Sequence, residues 1–79
     1  GSVFKRPAGY YAGALIEETG LKGKRIGGAM ISPKHAGFIL NVDNAKAIDV
    51  YALIQLIEAR VLDRFGVQLE REVKLIGEF

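Results

Sequence analysis

Three side chains of this sequence are of types that could take part in chemistry, and the first two are Glu72 and Ser2. Glu72 lies on the polar side of an alternating stretch, 67–75. A carboxylate there is either a solvent-exposed residue paired across a sheet or a catalytic or ligand-binding group on an open face. Ser2 carries a hydroxyl, but no histidine and carboxylate form a recognisable triad with it. A Gly-Ser pair at this position is also typical of an expression-tag remnant, so both readings stay open at this point.

The third side chain is His35, the single histidine of the chain, which follows Lys34 in a predicted turn. A histidine in a turn is most often a surface or hydrogen-bonded residue rather than a ligand. The absence of cysteine excludes disulfides, Cys-based zinc sites and a thiol nucleophile, and it fits a reducing compartment. One histidine also argues against an all-protein catalytic metal site. We therefore expect no metal in this chain.

The glycine-rich basic segment of the chain is 20–28, Gly-Leu-Lys-Gly-Lys-Arg-Ile-Gly-Gly. It matches neither the phosphate-loop pattern nor the dinucleotide-binding G-x-G-x-x-G pattern. Its G-x-x-G beside lysines is the form with which K-homology domains clamp an RNA backbone, although Gly20 is also explained as a helix cap. A small RNA-binding domain is therefore the alternative function.

Length and composition limit the class of protein. With 79 residues, 49% hydrophobic and 25% charged, the chain is expected to form one small globular domain, too short for a two-domain enzyme that carries its own cofactor. The net charge of +2 is too mild to indicate nucleic acid, but residues 1–40 carry +4 and residues 41–79 carry −2. The basic half favours an anionic small ligand or an anionic partner surface. No apolar run approaches the roughly 18 residues of a membrane span and no signal peptide is visible, so we expect a soluble intracellular chain.

Two helices are predicted from the spacing of apolar residues. A short amphipathic helix covers Tyr11–Thr19 and is ended by Gly20. The longest element covers Ala45–Phe65, with Asn44 as its N-cap and Gly66 at its end. One apolar stripe follows this long helix: Val50, Leu53, Ile54, Ile57 and Val61.

Four strands are predicted around these helices. The first covers 1–4, and Ile26–Ser32 and Gly37–Val42 form a hairpin around a turn. The glycine pair at 27–28 weakens its strand and indicates that another backbone or a ligand comes close. The last strand covers 67–75, where Arg71 interrupts the apolar side. The order β-α-β-β-α-β predicts a two-layer α+β domain, in which both helices pack on one face of a small mixed or antiparallel sheet.

Several strings, taken in order, resemble one known family, the C-terminal domain of UDP-N-acetylenolpyruvoylglucosamine reductases. The resemblance covers nearly all of residues 1–77 and is specific because seven strings occur in the right order and spacing. The strings are Gly-Ser-Val-Phe-Lys-Arg-Pro (1–7), Ala-Gly-x-Leu-Ile-Glu-Glu (12–18), Gly-Leu-Lys-Gly (20–23), Arg-Ile-Gly-Gly-Ala (25–29), Lys-His-Ala-Gly-Phe-Ile-Leu-Asn (34–41), Asp-Asn-Ala (43–45) and Val-x-x-x-Phe-Gly-Val-x-Leu-Glu-x-Glu-Val-x-Leu-Ile-Gly (61–77).

The resemblance implies that residues 1–79 form the single C-terminal, substrate-binding domain of a three-domain flavoenzyme. Its other two domains hold FAD and are the partner of this domain, and NADPH reduces the flavin. The enzyme, also called UDP-N-acetylmuramate dehydrogenase, works in the bacterial cytoplasm in peptidoglycan precursor synthesis, and thus in cell-wall formation, cell shape and division. This chain alone is expected to bind neither cofactor, nor nucleic acid or membrane, and to be inactive.

The resemblance also implies roles for five residues. Ser2 corresponds to the proton donor, and Glu72 to a catalytic glutamate that hydrogen-bonds the developing enol. A third catalytic group, an arginine of the flavin domain, has no counterpart here. For the UDP-sugar, Lys22 would face the diphosphate and His35 would reach the nucleotide part. Arg6 stands where many relatives have asparagine. The arginine keeps a phosphate-binding group at this position, but its geometry differs from that of asparagine.

Overall fold

The longest helix, α2, carries the apolar stripe that the sequence predicts. In a computed structural model that describes residues 3–72, α2 covers Ala47–Phe65, and the five stripe residues are buried. It ends at Gly66, whose φ of 68° is the left-handed conformation expected after a helix. Asn44 as its N-cap was wrong, because Lys46 occupies that position and Asn44 has a left-handed φ of 48°. The carboxylate of Asp49 accepts a hydrogen bond from the Lys46 N–H (3.0 Å) and satisfies a donor at the helix start.

The short helix, α1, covers Ala12–Glu18 and packs against α2. Its C-cap is Thr19, and Gly20 follows with a φ of 76°, as predicted. Leu15 and Ile16 are buried on the side that faces the core.

The predicted strand Ile26–Ser32 is in fact a hairpin. Strand β1 covers Arg25–Ile26, β2 covers Ala29–Ile31, and the two are antiparallel with Ile26 opposite Ala29. The two glycines between them form the turn. Gly27 has a positive φ of 54°, and a Cβ on Gly28 would lie 2.0 Å from the carbonyl oxygen of Asp43. The predicted close approach of another backbone is thus confirmed, but at a turn rather than inside a strand.

The predicted hairpin between the two middle segments is confirmed. Strand β3 covers Ile39–Asn41 and pairs antiparallel with β2, with Ile31 opposite Ile39. The resulting sheet has the order β1-β2-β3. Helix α2 packs against β1 and β2 and forms the second layer, whereas α1 packs against α2.

The two predicted terminal strands are represented by a short antiparallel contact. Phe4 and Arg71 form a single bridge, flanked by hydrogen bonds from the Lys5 N–H to the Glu70 carbonyl and from the Glu72 N–H to the Val3 carbonyl, both 2.9 Å. Residues 67–70, which the prediction placed in the last strand, form no strand, so the prediction is wrong there. The parts of the two predictions at residues 1–2 and 73–75 lie outside the described residues. The α+β class is confirmed, and the order within residues 3–72 is α-β-β-β-α with this bridge at the ends.

Candidate functional site

A cleft of about 590 Å³ lies where the Phe4–Arg71 bridge, α1 and the β2–β3 connection meet. This volume is within the range of small-molecule binding sites. Six charged or titratable side chains line it: Arg6, Tyr11, Glu17, Lys34, His35 and Glu72. Three of these, Arg6, His35 and Glu72, are residues that the resemblance proposes for catalysis or substrate binding.

Glu72 lines the cleft because the extended segment around it alternates its side chains. Leu69 is buried in the core, and Arg71, on the same side, reaches Glu58 on α2. Glu72 therefore projects on the opposite side, where the cleft lies. The polar side predicted for Glu72 is thus the side of the cleft.

Val3 connects this segment to the opposite wall of the cleft. Its carbonyl accepts the Glu72 N–H, and its own N–H donates to the Gly37 carbonyl, each at 2.9 Å. Val3 is 8% exposed and belongs to the core, so the backbone next to Ser2 in the chain is held in place. Ser2 itself lies outside the described residues, and its role stays a prediction.

Arg6 is held at the cleft by two contacts with the segment that leads into α1. Its guanidinium carbon lies 4.0 Å from the ring centre of Tyr11, a cation–π distance, and its Nε donates to the Tyr10 carbonyl (3.3 Å). These contacts orient the side chain while leaving it exposed to solvent, as an anion-binding group requires.

The β2–β3 connection presents Lys34 and His35 to the cleft. Buried Ser32 organises this turn, because its Oγ accepts hydrogen bonds from the backbone N–H groups of Lys34 (3.2 Å) and His35 (3.1 Å). The imidazole packs edge-on against Phe38, with ring centres 5.9 Å apart. The turn is therefore closed by its own contacts, and both side chains are exposed.

Lys22 is the one predicted substrate-binding residue in the described part that does not line this cleft. Its Nζ donates to Glu17 Oε1 at 2.6 Å, and Glu17 lines the cleft. The hydrogen bond and the charge of Lys22 lower the pKa of the Glu17 carboxyl. Lys22 is thus one side chain away from the cleft, at the edge that Glu17 forms.

The glycine-rich segment 20–28 cannot cradle phosphates in this conformation. The N–H groups of Gly20 and Gly23 donate to the carbonyls of Glu17 and Ile31. A Cβ on Gly27 would lie 2.5 Å from the Asp49 carboxylate, so a negative group already fills the space beside that turn. Neither the RNA-binding alternative nor a dinucleotide-phosphate site in segment 20–28 receives support from this geometry.

Two further observations concern residues 3–72. No group of three or more metal-ligating side chains is present in that range. Neither of its helices is long and apolar enough to cross a membrane.

Three of the cleft-lining residues were not singled out from the sequence: Tyr11, Glu17 and Lys34. Lys34 carried a usable signal, because it precedes His35 in a turn that begins with Ser-Pro. Tyr11 and Glu17 carried none, since their position at the cleft depends on how α1 packs against the rest of the domain.

Comparison with known proteins identifies the family. A sequence model described as "UDP-N-acetylenolpyruvoylglucosamine reductase, C-terminal domain" matches residues 1–76. The UDP-N-acetylenolpyruvoylglucosamine reductases of Alkaliphilus oremlandii and Geobacillus thermodenitrificans are 62% and 58% identical over 78 residues, which are 99% of this chain and 26% of each relative. The chain thus spans about a quarter of the length of these relatives.

A solved structure agrees with the sequence comparison. The crystal structure of UDP-N-acetylenolpyruvylglucosamine reductase (MurB) from Thermus caldophilus superposes with a TM-score of 0.73 and 48% identity. The match covers 92% of this chain and 26% of that one. On these matches, the chain belongs to the family of UDP-N-acetylenolpyruvoylglucosamine reductase C-terminal domains.

Proposed function

We propose that residues 1–79 form the substrate-binding domain of a bacterial reductase that converts UDP-N-acetylglucosamine enolpyruvate to UDP-N-acetylmuramate. In this proposal the parent enzyme acts in the cytoplasm, in peptidoglycan precursor synthesis. The names of the related enzymes support the reaction, and their greater length supports a parent with further domains.

One observation carries the proposal, which is that the fold brings Arg6, His35 and Glu72 to a single cleft from three separate parts of the chain. Arg6 and Lys34 supply the positive charge that a UDP diphosphate requires, and His35 adds a hydrogen-bonding group. Lys22 extends the charged edge through Glu17. An anionic sugar nucleotide suits this combination of charges.

The proposed chemistry assigns different tasks to Glu72 and Ser2. A hydride, which the reduced flavin of the parent enzyme would supply, adds to one carbon of the enolpyruvyl double bond and leaves negative charge on the other carbon. This charge must be stabilised as an enol or enolate, and that carbon is then protonated. We assign the stabilising hydrogen bond to Glu72 and the proton to the hydroxyl of Ser2. A serine hydroxyl is a weak acid, but it suffices against a strongly basic carbon held beside it.

The cofactors belong elsewhere in the parent enzyme under this proposal. FAD and NADPH would be held by flavin-binding domains of the same parent chain, and the conformation of segment 20–28, which offers no phosphate cradle, supports this. Those domains would complete the substrate cleft, and they would supply the catalytic arginine that this chain lacks. The 79-residue chain by itself is therefore expected to be catalytically inactive.

An NMR titration of the isotopically labelled chain with UDP-N-acetylglucosamine tests the proposed site. We expect shift perturbations to cluster at 2–6, Lys22, His35 and Glu72. The variant Arg6→Gln should weaken the response, whereas Arg60→Gln, on an exposed part of α2, should leave it unchanged. If no perturbation appears at these positions even after the flavin-binding domains are added in trans, the proposed residue roles are wrong.

A further inference from the structure

Arg71 makes the most specific charged contact in the described part of the chain. Its Nε and a terminal nitrogen donate to the two carboxylate oxygens of Glu58 on α2, at 3.0 and 2.8 Å. These hydrogen bonds to Glu58 raise the pKa of Arg71. The ring centre of Tyr51, two turns earlier on α2, lies 5.9 Å from the guanidinium carbon. The bidentate geometry fixes the direction of the arginine as well as its distance.

The ion pair between Lys5 and Glu70, on the same bridge, is a useful comparison for the Arg71–Glu58 contact. Lys5 and Glu70, on the two segments of the same bridge, approach only to 3.9 Å with side chains 59% and 75% exposed. The side chains of Arg71 and Glu58 are 39% and 26% exposed, so water screens their pair less. The Arg71–Glu58 pair is the one that can tie the bridge segment to α2.

The register of the segment around Arg71 determines which side chain faces the cleft. Because side chains alternate along an extended segment, a shift by one residue would turn Glu72 away and place its neighbour there. An apolar residue at 71 would specify only that this side is buried. A bidentate pair to a defined residue on α2 specifies the register and the rotation of the segment together.

The effect of this anchor extends beyond Glu72. The Glu72 N–H donates to the Val3 carbonyl, and the Val3 N–H donates to the Gly37 carbonyl on the opposite wall. A continuous series of contacts therefore runs from α2 through Arg71 to the segment next to Ser2 and then to the turn that carries His35.

We propose that Arg71 and Glu58 are positioning residues for the reaction, which hold the Glu72 carboxylate at the enolpyruvyl end of the cleft. The inference rests on the proposed function of Glu72. A displacement of a reacting group by about 1 Å can lower a rate by about 100-fold. Loss of the pair should therefore slow the step in which Glu72 acts while leaving the binding of the nucleotide part almost unchanged.

The test uses the full-length parent enzyme with Arg71→Gln, Arg71→Lys and Glu58→Gln. The rate at which the reduced enzyme acts on the enolpyruvyl substrate is measured separately from the rate of its reduction by NADPH. We expect Arg71→Gln to slow the first rate about 10- to 100-fold and to leave the second unchanged. Arg71→Lys should recover part of the loss, because it keeps the charge but not both donors. Glu70→Gln, which removes the loose pair of the same segment, is the matched control and should behave as the unchanged enzyme.

Hydrogen exchange of the same enzymes gives a readout that does not depend on turnover. Arg71→Gln and Glu58→Gln should accelerate amide exchange at Glu72 and Lys5, the two donors of the bridge, with no change at Gly23, whose N–H donates to the Ile31 carbonyl of β2. Unchanged substrate reduction in Arg71→Gln, or equal slowing of both rates, would overturn the positioning role.

The variant Glu72→Gln separates this inference from the function on which it rests. If Glu72→Gln reduces the substrate at the normal rate, the proposed function of Glu72 is itself wrong. If Glu72→Gln is slow but Arg71→Gln and Glu58→Gln are normal, only the positioning role fails.

Discussion

The carboxylate of Asp49 shows how much one side chain can organise in so short a chain. Its Oδ2 accepts hydrogen bonds from the backbone N–H groups of Lys46, at the start of α2, and of Gly28, in the β1–β2 turn, at 3.0 and 3.3 Å. These hydrogen bonds lower the pKa of the carboxyl, with the bond from Lys46 as the larger cause. The Asp49 carboxylate thus joins α2 to the β1–β2 turn, because it accepts hydrogen bonds from a backbone N–H group of each.

The lowered pKa predicts how stability depends on pH. A carboxyl whose pKa is lower in the folded state stabilises the fold at pH values above its ordinary pKa of 3.8. This contribution is lost as the pH falls through the pKa of the folded state. We expect Asp49→Asn to be less stable than the unchanged chain at neutral pH and the two to converge in acid. Urea unfolding of both chains, from neutral pH down into acid, measures the difference in their free energy of unfolding.

A matched control for this prediction is Asp63→Asn, near the other end of α2. This variant keeps Asp49 and should retain the acid-induced loss that Asp49 causes. A constant difference between Asp49→Asn and the unchanged chain at every pH would contradict the assignment to Asp49.

At the scale of elements, the β1–β2 hairpin differs from the single strand that the sequence predicts, in which the two consecutive glycines are only weak strand positions. Periodicity alone cannot distinguish a strand with a glycine defect from two short strands with a two-residue turn. What decides between them is long-range, because the Asp43 backbone and the Asp49 carboxylate occupy the space beside the turn. Local sequence does not contain the packing of those two residues.

The hairpin predicts a strong difference between two glycine substitutions. In Gly28→Ala the new Cβ would lie 2.0 Å from the Asp43 carbonyl oxygen and 2.6 Å from the Ala45 nitrogen, both backbone atoms that cannot rotate away. We expect a loss of more than about 3 kcal/mol in the free energy of unfolding, or failure to fold. The measurement is urea unfolding of the 79-residue chain.

Gly23→Ala is the control for that substitution. Gly23 has a φ of 81°, but no atom lies within 4 Å of the position that a Cβ would take there. Alanine at 23 therefore meets only backbone strain of about 1–2 kcal/mol. Equal losses in the two variants would show that backbone conformation, rather than the contact with Asp43, determines the cost.

The long helix and the cleft differ in how far sequence could predict them. The stripe on α2 was predicted correctly because a 3.6-residue period and a terminal glycine are local signals. Arg6, His35 and Glu72 were named through resemblance to a family. Their meeting in one cleft depends on tertiary contacts such as the Val3–Gly37 hydrogen bond. Lys22 was placed at the ligand by the same resemblance, and its partner Glu17 could not be foreseen from α1 alone.

At the scale of the whole molecule, the small core sets the margin of stability. A chain of 79 residues is expected to have a free energy of unfolding of roughly 4–12 kcal/mol. Within residues 3–72, the buried core consists of 16 residues that form a single cluster. Because the described core is one cluster, a cavity anywhere in it should weaken the entire domain, cleft included.

The core therefore predicts very different losses in the free energy of unfolding when either of two isoleucines on α2 is replaced by alanine. Ile54 is 0% exposed, and Ile54→Ala should lower the free energy of unfolding by about 2–5 kcal/mol, through lost burial and the cavity that remains. Ile48 is 71% exposed, and Ile48→Ala should change it by no more than about 0.5 kcal/mol. Urea midpoints of the two variants provide the comparison. Similar midpoints would mean that Ile54 is not buried in solution and that α2 does not pack on the core through its apolar stripe. The position of α2, which holds Glu58 against Arg71, would then lose its support.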